Sequence, residues 1–330
     1  MIINKIKIRN FKKIGEIEFS LNSPLVLIGP NNSGKTSLLQ AITLLETGLK
    51  KIMTEKKTGT IRTGVSINRK DLISIPVPNA KLLWFNKNVR AVERTNGSQK
   101  TKNINIEILA EGHIGGKRWE AGLEFDYANE ESFYCRALRK DEQGNERYSI
   151  DKTAFEFKVA YLQPMSGLAS SEDRLTPGSI DRRIGEGKTA DIIRNICYQL
   201  LHPERAIDAA KESVLMKRWN EINEILFSRF GIRINEPVYN PDNGLIDMTY
   251  EEKGIEFDLS SSGRGFQQTL LLLCFLYSNA GKVILMDEPD AHLEVLRQKE
   301  IYKLISDVTR KLGSQIIIAS HSEIVLDEAA

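Results

Sequence analysis

Eight consecutive residues, from Gly29 to Thr36, carry the pattern that most directly implies chemistry. They read Gly-Pro-Asn-Asn-Ser-Gly-Lys-Thr and fit G-x-x-x-x-G-K-[ST], the glycine loop that holds the phosphates of a nucleotide. In such a loop, backbone N–H groups and a helix N-terminus surround the anion. The pattern predicts a site for ATP and Mg²⁺, in which Lys35 reaches the β- and γ-phosphates and the Thr36 hydroxyl binds the metal.

The segments that flank this loop have the composition that the site requires. Leu25 to Ile28 is a short apolar run that predicts a buried strand, and Ser37 to Ile42 predicts the start of a helix. A strand, a glycine loop and a helix in this order favour nucleotide binding over a chance turn. The predicted phosphate-binding residues are Gly29, Asn31, Asn32, Ser33, Gly34, Lys35, Thr36 and Ser37.

A second apolar strand, from Val283 to Met286, is followed by two acids, Asp287 and Glu288. In phosphoryl-transfer ATPases an acid at such a strand end binds Mg²⁺ directly or through water, which predicts Asp287 as a metal ligand. Glu288 is then predicted to polarise the attacking water as general base. Alone, the pattern also describes a strand that ends at an exposed acidic turn, and the glycine loop upstream favours the catalytic interpretation.

A third apolar strand, from Gln315 to Ser320, is followed by His321. Open α/β sheets bind their ligands at the carboxyl ends of strands, so His321 is placed where a catalytic residue would lie. We expect its Nε2 to reach a γ-phosphate oxygen. A lone histidine is more often a surface or core residue, and its position at this strand end favours the functional interpretation.

A Ser/Gly-rich turn, Ser260 to Gly265, leads into an apolar helix predicted over 269–277. A helix N-terminus with such a turn can bind an anion, although an ordinary helix cap has the same composition. The position of this turn shortly before the Asp287 strand favours a second phosphate contact.

The order of these motifs resembles the ATP-binding-cassette (ABC) head of the SMC, RecF and overcoming-lysogenization-defect (OLD) ATPases. The order is glycine loop, Ser-Gly turn, Asp-Glu strand, Asp-Ala-His-Leu from Asp290, and Ser-His-Ser from Ser320. The opening strand, Ile6 to Lys12, is similar to theirs, and the segment from Asp287 to Glu294 is closer to OLD and RecF than to transporters. The resemblance implies an α/β fold: an ABC-type P-loop ATPase head with a mixed or antiparallel β lobe and a short helical insertion.

The same resemblance implies that two copies share their ATP sites head to tail. The Ser-Gly signature of one subunit would close over ATP held by the other, which places Ser262, Gly263 and Gly265 in the binding set. Asp290 would lie at the dimer interface near the attacking water. Gln163 would serve as a glutamine-loop residue that binds Mg²⁺ or water. The signature reads Ser-Ser-Ser-Gly-Arg-Gly, which leaves open which serine acts.

Composition bounds the class of protein. Hydrophobic residues make up 41% of the 330 residues and charged residues 27%, as in ordinary globular proteins. No apolar run approaches the roughly 18–20 residues that cross a bilayer, so we expect no membrane partner. A strand pattern at the N-terminus predicts no signal peptide. Cys135, Cys197 and Cys274 have no metal-site spacing and form no even disulfide set, which predicts a reducing cytoplasm.

The charge is unevenly distributed along the chain. Between Leu49 and Lys102 there are nine Lys and four Arg residues against three acids, although the net charge of the whole chain is only +2. Such a stretch is a candidate nucleic-acid contact, and a solvated loop is the alternative. Trp84 and Phe85 lie within it, and we expect them to pack into the core rather than to stack on bases.

The motifs predict one ABC-type ATPase domain over 1–330, in three consecutive parts. These are a P-loop and β lobe at 1–165, a loop and helical insertion at 166–235, and a lobe with the signature, acidic strand and histidine strand at 236–330. The predicted strands of the first part are Ile2–Ile8, Ile14–Phe19, Ile104–Ala110, Arg118–Phe125, Phe133–Arg139 and Phe155–Tyr161. We also expect a mobile loop at 166–185, helices over 188–230 with a break at 202–203, and a hairpin within 235–258.

The resemblance implies an ATPase that forms a homodimer, or a higher homo-oligomer, on ATP. It implies a role as a nucleotide switch in bacterial anti-phage defence or DNA maintenance. OLD-type proteins often continue into a nuclease domain, so we expect a nuclease effector that is either a separate chain or C-terminal to this one. The alternatives are a slow-turnover ATP-dependent scaffold or sensor, a RecF-like repair ATPase and a transporter subunit. Asp-Ala-His-Leu disfavours the last.

Overall fold

The structure is a computed structural model and describes residues 1–57, 64–95, 98–141, 146–164, 168–203, 209–291 and 293–322. The strands are β1 (Ile2–Phe11), β2 (Ile14–Ser20), β3 (Leu25–Ile28), β4 (Val65–Asn68), β5 (Arg90–Thr95), β6 (Ser98–Asn103), β7 (Ile106–Ile114), β8 (Lys117–Tyr127), β9 (Ser132–Ala137), β10 (Val159–Leu162), β11 (Ile232–Ile234), β12 (Val238–Asn240), β13 (Leu245–Asp247), β14 (Thr249–Glu252), β15 (Ile255–Asp258), β16 (Val283–Asp287) and β17 (Gln315–Ser320). The α-helices are α1 (Lys35–Lys57), α2 (Pro177–Gly185), α3 (Ile193–Leu201), α4 (Ala209–Phe230), α5 (Arg264–Ser278) and α6 (Val295–Lys311).

The chain forms two compact units, each assembled from discontinuous segments. The first unit comprises Met1–Tyr161, Gly281–Asp287 and Ser314–His321. The second comprises Leu162–Ala280, Glu288–Gly313 and Ser322. The first unit therefore takes β16 and β17 from the C-terminal part of the chain, and the division into three consecutive parts stays a prediction.

The first unit contains an antiparallel sheet of six strands in the order β2-β1-β7-β8-β9-β4. Alternate side chains of β7 are buried, as expected for a sheet that packs one face on a core. Five of the predicted strands and their antiparallel pairing are confirmed.

The prediction of a strand over 155–161 is partly wrong. Residues Lys152–Glu156 form a 3₁₀ turn, and the strand begins only at Val159. Ala154 and Phe157 are both buried. They are three residues apart, which is the spacing of a helical turn rather than of a strand.

A second sheet of the first unit has the strand order β10-β16-β17-β3. The β16, β17 and β3 strands are parallel, with Asp287 opposite Ala319 and Ser320 opposite Ile28. Every residue of β16 and β17 is buried, as in sheets that are covered on both faces. The parallel register brings the carboxyl ends of these three strands to one edge, and it confirms all three strand predictions.

Helix α1 packs against strands of both sheets in the first unit. Its buried residues, among them Leu38, Ile42, Leu45 and Leu49, recur every three to four positions. Helix α1 approaches β8 and β9 closely at Gly48, because a Cβ atom there would be 2.6 Å from Leu123 Cδ1 and 3.0 Å from Cys135 Sγ. An added Cβ atom would force Leu123 to shift, so Gly48 allows α1 to lie this close to β8 and β9.

The second unit is built around α5, in which every residue from Phe266 to Tyr277 is buried. Helices α3 and α4 pack on it and on each other. They lie on either side of His202 and Pro203, which confirms the predicted break. The predicted hairpin is also present, with Asn240 opposite Leu245 in β12 and β13, and a second hairpin follows in β14 and β15.

Part of the loop predicted at 166–185 is instead a helix, α2. Thr176 caps its N-terminus by accepting a hydrogen bond from the Ser179 N–H, and Pro177 occupies the first turn. Thr followed by Pro is a helix-start signal that the Ser, Gly and Pro content of the segment concealed. No helix of the described residues is long and apolar enough to span a bilayer.

We predict that Gly48→Ala destabilises the protein although alanine is the better helix former. The gain in helix propensity is about 1 kcal/mol, and overpacking against Leu123 costs about 1–3 kcal/mol. Urea denaturation should show a lower midpoint for Gly48→Ala.

The matched control is Gly178→Ala, because a Cβ atom at Gly178 in α2 would have no neighbour within 4 Å. This change should be neutral or stabilising by up to about 1 kcal/mol. Equal midpoints for the two variants would contradict the close packing of α1.

Candidate nucleotide-binding site

The glycine loop connects β3 to α1, and its backbone is shaped as a phosphate cradle. Gly34 has a φ of 101° and Asn32 a φ of 67°, which turn the chain sharply into the N-terminus of α1 at Lys35. A side chain at Gly34 would be strained in this conformation. Gly29 is also confined, because a Cβ atom there would lie 3.1 Å from Ser33 Oγ. Since the first N–H groups of a helix have no intrahelical acceptor, the loop fits an anion.

The Lys35 ammonium lies inside the curve of its own loop. Its Nζ donates to the Gly29 carbonyl at 2.7 Å and to the Pro30 carbonyl at 3.0 Å, and it lies 3.2 Å from His321 Nδ1. His321 Nδ1 is also 3.1 Å from the Gly29 oxygen. If Nδ1 accepts from Lys35, the ring proton is on Nε2, which can then donate to a phosphate oxygen.

The candidate metal ligands of the first unit are in direct contact. Thr36 Oγ1 donates to Asp287 Oδ2 at 2.8 Å, and Asp287 is buried, with 7% of its surface exposed. A hydroxyl and a carboxylate are oxygen donors of the kind that Mg²⁺ prefers. The residues present therefore fit Mg²⁺, and they lie beside the loop that fits the phosphates.

Tyr161, at the end of β10, is a residue of this site that sequence reasoning missed. Its hydroxyl donates to the same Asp287 oxygen at 3.1 Å, and its side chain is buried. Two hydroxyl groups therefore orient one carboxylate. The available signal was a polar group at the end of an apolar strand, as at Asp287 and His321.

Glu288 follows Asp287 directly and adopts a φ of 51°. Few residues other than glycine take this left-handed conformation, and those that do are concentrated at functional sites. The assignment of Glu288 as general base stays a prediction. Its backbone conformation is consistent with that assignment.

The signature turn belongs to the second unit and is held closed by its own hydrogen bonds. Ser262 Oγ donates to the Leu259 carbonyl at 2.7 Å, and the Ser262 carbonyl accepts from Gln267 Nε2 at 2.9 Å. Gly263 is the N-cap residue of α5, whose first turn contains no acid. A Cβ atom at Gly265 would lie 3.5 Å from the Arg297 guanidinium.

Two further predicted site residues also lie in the second unit. Gln163 Nε2 donates to the Gly185 carbonyl at the end of α2, at 2.7 Å. Asp290 is buried, and its carbonyl accepts from the Leu293 N–H at 3.2 Å. The first unit thus brings together the loop, Lys35, Thr36, Asp287 and His321. The roles of Gln163, Asp290 and the signature residues stay predictions.

Several charges of the basic stretch are neutralised within the first unit. Lys51 forms an ion pair with Asp71 at 2.7 Å, and Arg69 forms one with Glu131 at 2.8 Å. Trp84 is buried and donates through Nε1 to the Ile104 carbonyl. Its predicted packing into the core is confirmed, although it lies between two 3₁₀ turns. Arg62 and the side chains of Lys56 and Lys57 are outside the described residues.

Comparison with known families identifies the chain. Residues 85–327 match the AAA_21 family, described as "AAA domain, putative AbiEii toxin, Type IV TA system". This range is more than half of the chain, and the chain belongs to this family of ATPases. The match begins after the glycine loop, so the assignment of Gly29 to Thr36 rests on the motif and on its geometry.

The chain is also similar to individual proteins, which agree with the fold. The OLD nuclease of Thermus scotoductus is 22% identical over 334 residues, which cover 99% of this chain and 60% of that protein. The chain thus spans about three fifths of the length of this relative. The SMC head domain of Thermotoga maritima has a TM-score of 0.52 at 14% identity, over 99% of this chain and 92% of that one.

A second solved structure, the SmcHead bound to the C-winged helix domain of ScpA, has a TM-score of 0.52 at 15% identity. It covers 99% of this chain and 92% of the other chain. At these identities the likeness establishes the fold, which is that of the ABC-type P-loop ATPase heads, as the motifs predicted.

We predict that Tyr161→Phe weakens the binding of ATP in the presence of Mg²⁺ by about three- to tenfold. The change removes one of two hydroxyl donors to Asp287, and a net contribution of about 0.5–1.5 kcal/mol for such a hydrogen bond corresponds to this range. Calorimetry in EDTA should give the same ATP affinity as the unmodified protein, because the phosphate loop is untouched.

The matched control is Tyr277→Phe, which removes a tyrosine hydroxyl that donates to the Glu221 carboxylate at 3.0 Å in the second unit. This change should leave the ATP affinity unchanged both with Mg²⁺ and in EDTA. A Tyr161→Phe protein whose Mg²⁺-dependent affinity matches that of Tyr277→Phe would contradict a role for Tyr161 in positioning Asp287.

Proposed function

We propose that this chain is the ATP-hydrolysing head of a nucleotide switch, two copies of which close head to tail on ATP. The observation that carries the proposal is the 2.8 Å contact between Thr36 and Asp287, beside a loop that is shaped for phosphates. Two residues that the motifs assign to one Mg²⁺ ion are therefore adjacent in the folded chain.

The residues of the first unit are suited to bind and orient the nucleotide. The loop amides and Lys35 would hold the β- and γ-phosphates, and Lys35 would exchange its two carbonyl acceptors for phosphate oxygens. Thr36 and Asp287 would hold Mg²⁺, which when bound neutralises charge on the phosphate oxygens. Tyr161 keeps the Asp287 carboxylate turned toward Thr36, and His321 would donate from Nε2 to a γ-phosphate oxygen.

Glu288 is proposed to act on the attacking water. Its carboxylate would accept a proton from the water as the oxygen attacks the γ-phosphorus, and the bond to ADP would break in line. Glu288 adopts its left-handed backbone conformation directly after the last residue of β16. Because Glu288 and Asp287 are consecutive, one strand end supplies both the metal ligand and the base.

The signature turn is proposed to complete the site of the second copy. Gly263 precedes the first turn of α5, which contains Arg264 and no acid, so the helix N-terminus favours an anion. The Ser262 hydroxyl is engaged with the Leu259 carbonyl and would have to turn to reach a phosphate. Asp290 is proposed to lie at the same interface, and Gln163 to bind Mg²⁺ or water once released from Gly185.

The biological role is proposed from the relatives. The family description names an AbiEii toxin of a type IV TA system, and the Thermus scotoductus relative is named OLD nuclease. Both fit a bacterial switch in anti-phage defence or DNA maintenance that works with a nuclease effector, in the cytoplasm. Nucleic acid is a candidate partner through the basic residues of 49–102 that have no acidic partner among the described ones, such as Lys50.

We predict that Glu288→Gln lowers the ATP turnover number by about 10²–10⁴-fold while ATP still binds. Glutamine retains the size and polarity of the side chain but cannot accept the proton. Multi-angle light scattering in ATP should then show twice the mass found without nucleotide, because the closed pair no longer hydrolyses its ligand.

The matched control is Glu236→Gln, at an exposed acid outside the proposed site, which should leave turnover unchanged. A second arm adds Ser262→Arg to Glu288→Gln, which should prevent doubling of the mass while ATP binding persists. Undiminished turnover by Glu288→Gln would exclude Glu288 as the base. A doubled mass for the variant that carries both Glu288→Gln and Ser262→Arg would exclude the signature turn from the interface.

A further inference from the structure

Strand β15 is an exposed edge of the three-stranded sheet β11-β14-β15 in the second unit. All four of its residues are exposed, including two large apolar side chains, Ile255 at 57% and Phe257 at 37%. Among the described residues, β14 is its only strand partner. An edge of this kind offers unpaired backbone groups to an added strand.

The register of the hairpin shows which backbone groups face the open edge. Lys253 and Gly254 form a two-residue turn with φ of 54° and 78°, and Glu252 is opposite Ile255. In such a hairpin the closing pair is hydrogen-bonded and the next pair is not. The N–H and C=O groups of Glu256 and Asp258 therefore point away from β14, toward an incoming strand.

One face of this edge is acidic. Glu251 on β14 is directly opposite Glu256 on β15, an arrangement in which like charges are destabilising. On its other side Glu251 is opposite Arg233 of β11, whose guanidinium pairs with Glu224 at 3.3 Å. Glu256 Oε1 accepts hydrogen bonds from Thr249 Oγ1 at 2.5 Å and from Asn235 Nδ2 at 3.1 Å. Within the described part of the chain, no Lys or Arg side chain forms an ion pair with Glu251 or Glu256.

The other face of the edge is apolar. Phe257 stacks on Tyr250 with ring centroids 5.6 Å apart, and Tyr250 in turn contacts Phe266 at 5.7 Å. Ile255 continues this surface toward the turn and is more than half exposed. A strand beside β15 would therefore meet carboxylates on one face and apolar side chains on the other.

We propose that β15 is the docking site for an extended segment of a partner protein that alternates basic and apolar residues. The segment adds as a fourth, antiparallel strand, with main-chain hydrogen bonds to Glu256 and Asp258. A Lys or Arg side chain lies opposite Glu256 and relieves its repulsion from Glu251. Apolar side chains cover Ile255 and Phe257.

A second copy of the chain fits this edge poorly. Pairing antiparallel to its own symmetry mate requires side chains of the same face to be opposite each other, since the period of a strand is two. Glu256 would then be opposite either Glu256 or Asp258 of the other copy. The first register juxtaposes two glutamates, and in the second Asp258 is already paired with Arg194 at 3.0 Å. Neither register places a cation opposite Glu256, so the charge pattern favours a different, basic chain.

The test uses the full chain and a fluorescent seven-residue peptide, Lys-Val-Lys-Val-Lys-Val-Lys, followed by anisotropy at physiological salt. Glu256→Lys should weaken binding by about tenfold, because a cross-strand attraction becomes a repulsion. The matched charge reversal Glu212→Lys, at an exposed acid of α4, should leave the affinity unchanged. An alternating Glu-Val peptide should bind only to the Glu256→Lys protein.

N-methylated versions of the peptide, tested on the unmodified protein, distinguish strand addition from simple charge attraction. A lysine opposite Glu256 directs its own N–H toward β15, so N-methylation at the lysines should abolish binding. N-methylation at the valines blocks only the outer edge and should preserve binding. Failure of the parent peptide to bind, or equal binding of both methylated peptides, would overturn the proposal. So would concentration-dependent dimers that Glu256→Lys disrupts in the absence of peptide, since these would identify a second copy as the occupant.

Discussion

The contact between the Thr36 hydroxyl and the Asp287 carboxylate is the interaction on which the account of this protein depends. It joins residues 251 positions apart in the chain, and the parallel pairing of β16, β17 and β3 makes it possible. A shift of one residue in either pairing would turn alternate side chains to the other face and remove the carboxylate from the loop. The chemistry of the first unit is therefore set by strand register.

The burial of β16 and β17 stabilises that register. The residues of β16 and β17 are covered on both faces, and α1 packs against both of these strands. Because α1 begins at Lys35, the same helix that fills the core also directs Lys35 and Thr36. Gly48 permits the approach of α1 to the antiparallel sheet on its other side. The candidate nucleotide site and the core thus share one structural element.

The sequence predicted the loop, the three strand ends and the family because each is a local pattern of residue types. It failed where structure depends on contacts between distant segments. A polar group at a strand end marked Tyr161, but no local pattern shows that its hydroxyl meets Asp287, 126 positions away. The 3₁₀ turn before β10 likewise depends on packing rather than on a local signature. Helix α2 was missed because its Ser, Gly and Pro residues are typical of loops as well as of helix starts. The edge at β15 required knowledge of which strands remain unpaired.

The claim that Gly29 to Thr36 binds nucleotide is tested most directly by calorimetry of ATP with Mg²⁺ on the unmodified protein and on Lys35→Ala. Lys35 supplies the side-chain cation of the loop, and its removal is expected to abolish measurable binding while the fold is retained. Lys50→Ala, an exposed lysine of the same helix, should bind ATP as the unmodified protein does. Tight binding by the unmodified protein that is lost only in Lys35→Ala is the predicted result. Equal affinities for all three proteins would contradict the account.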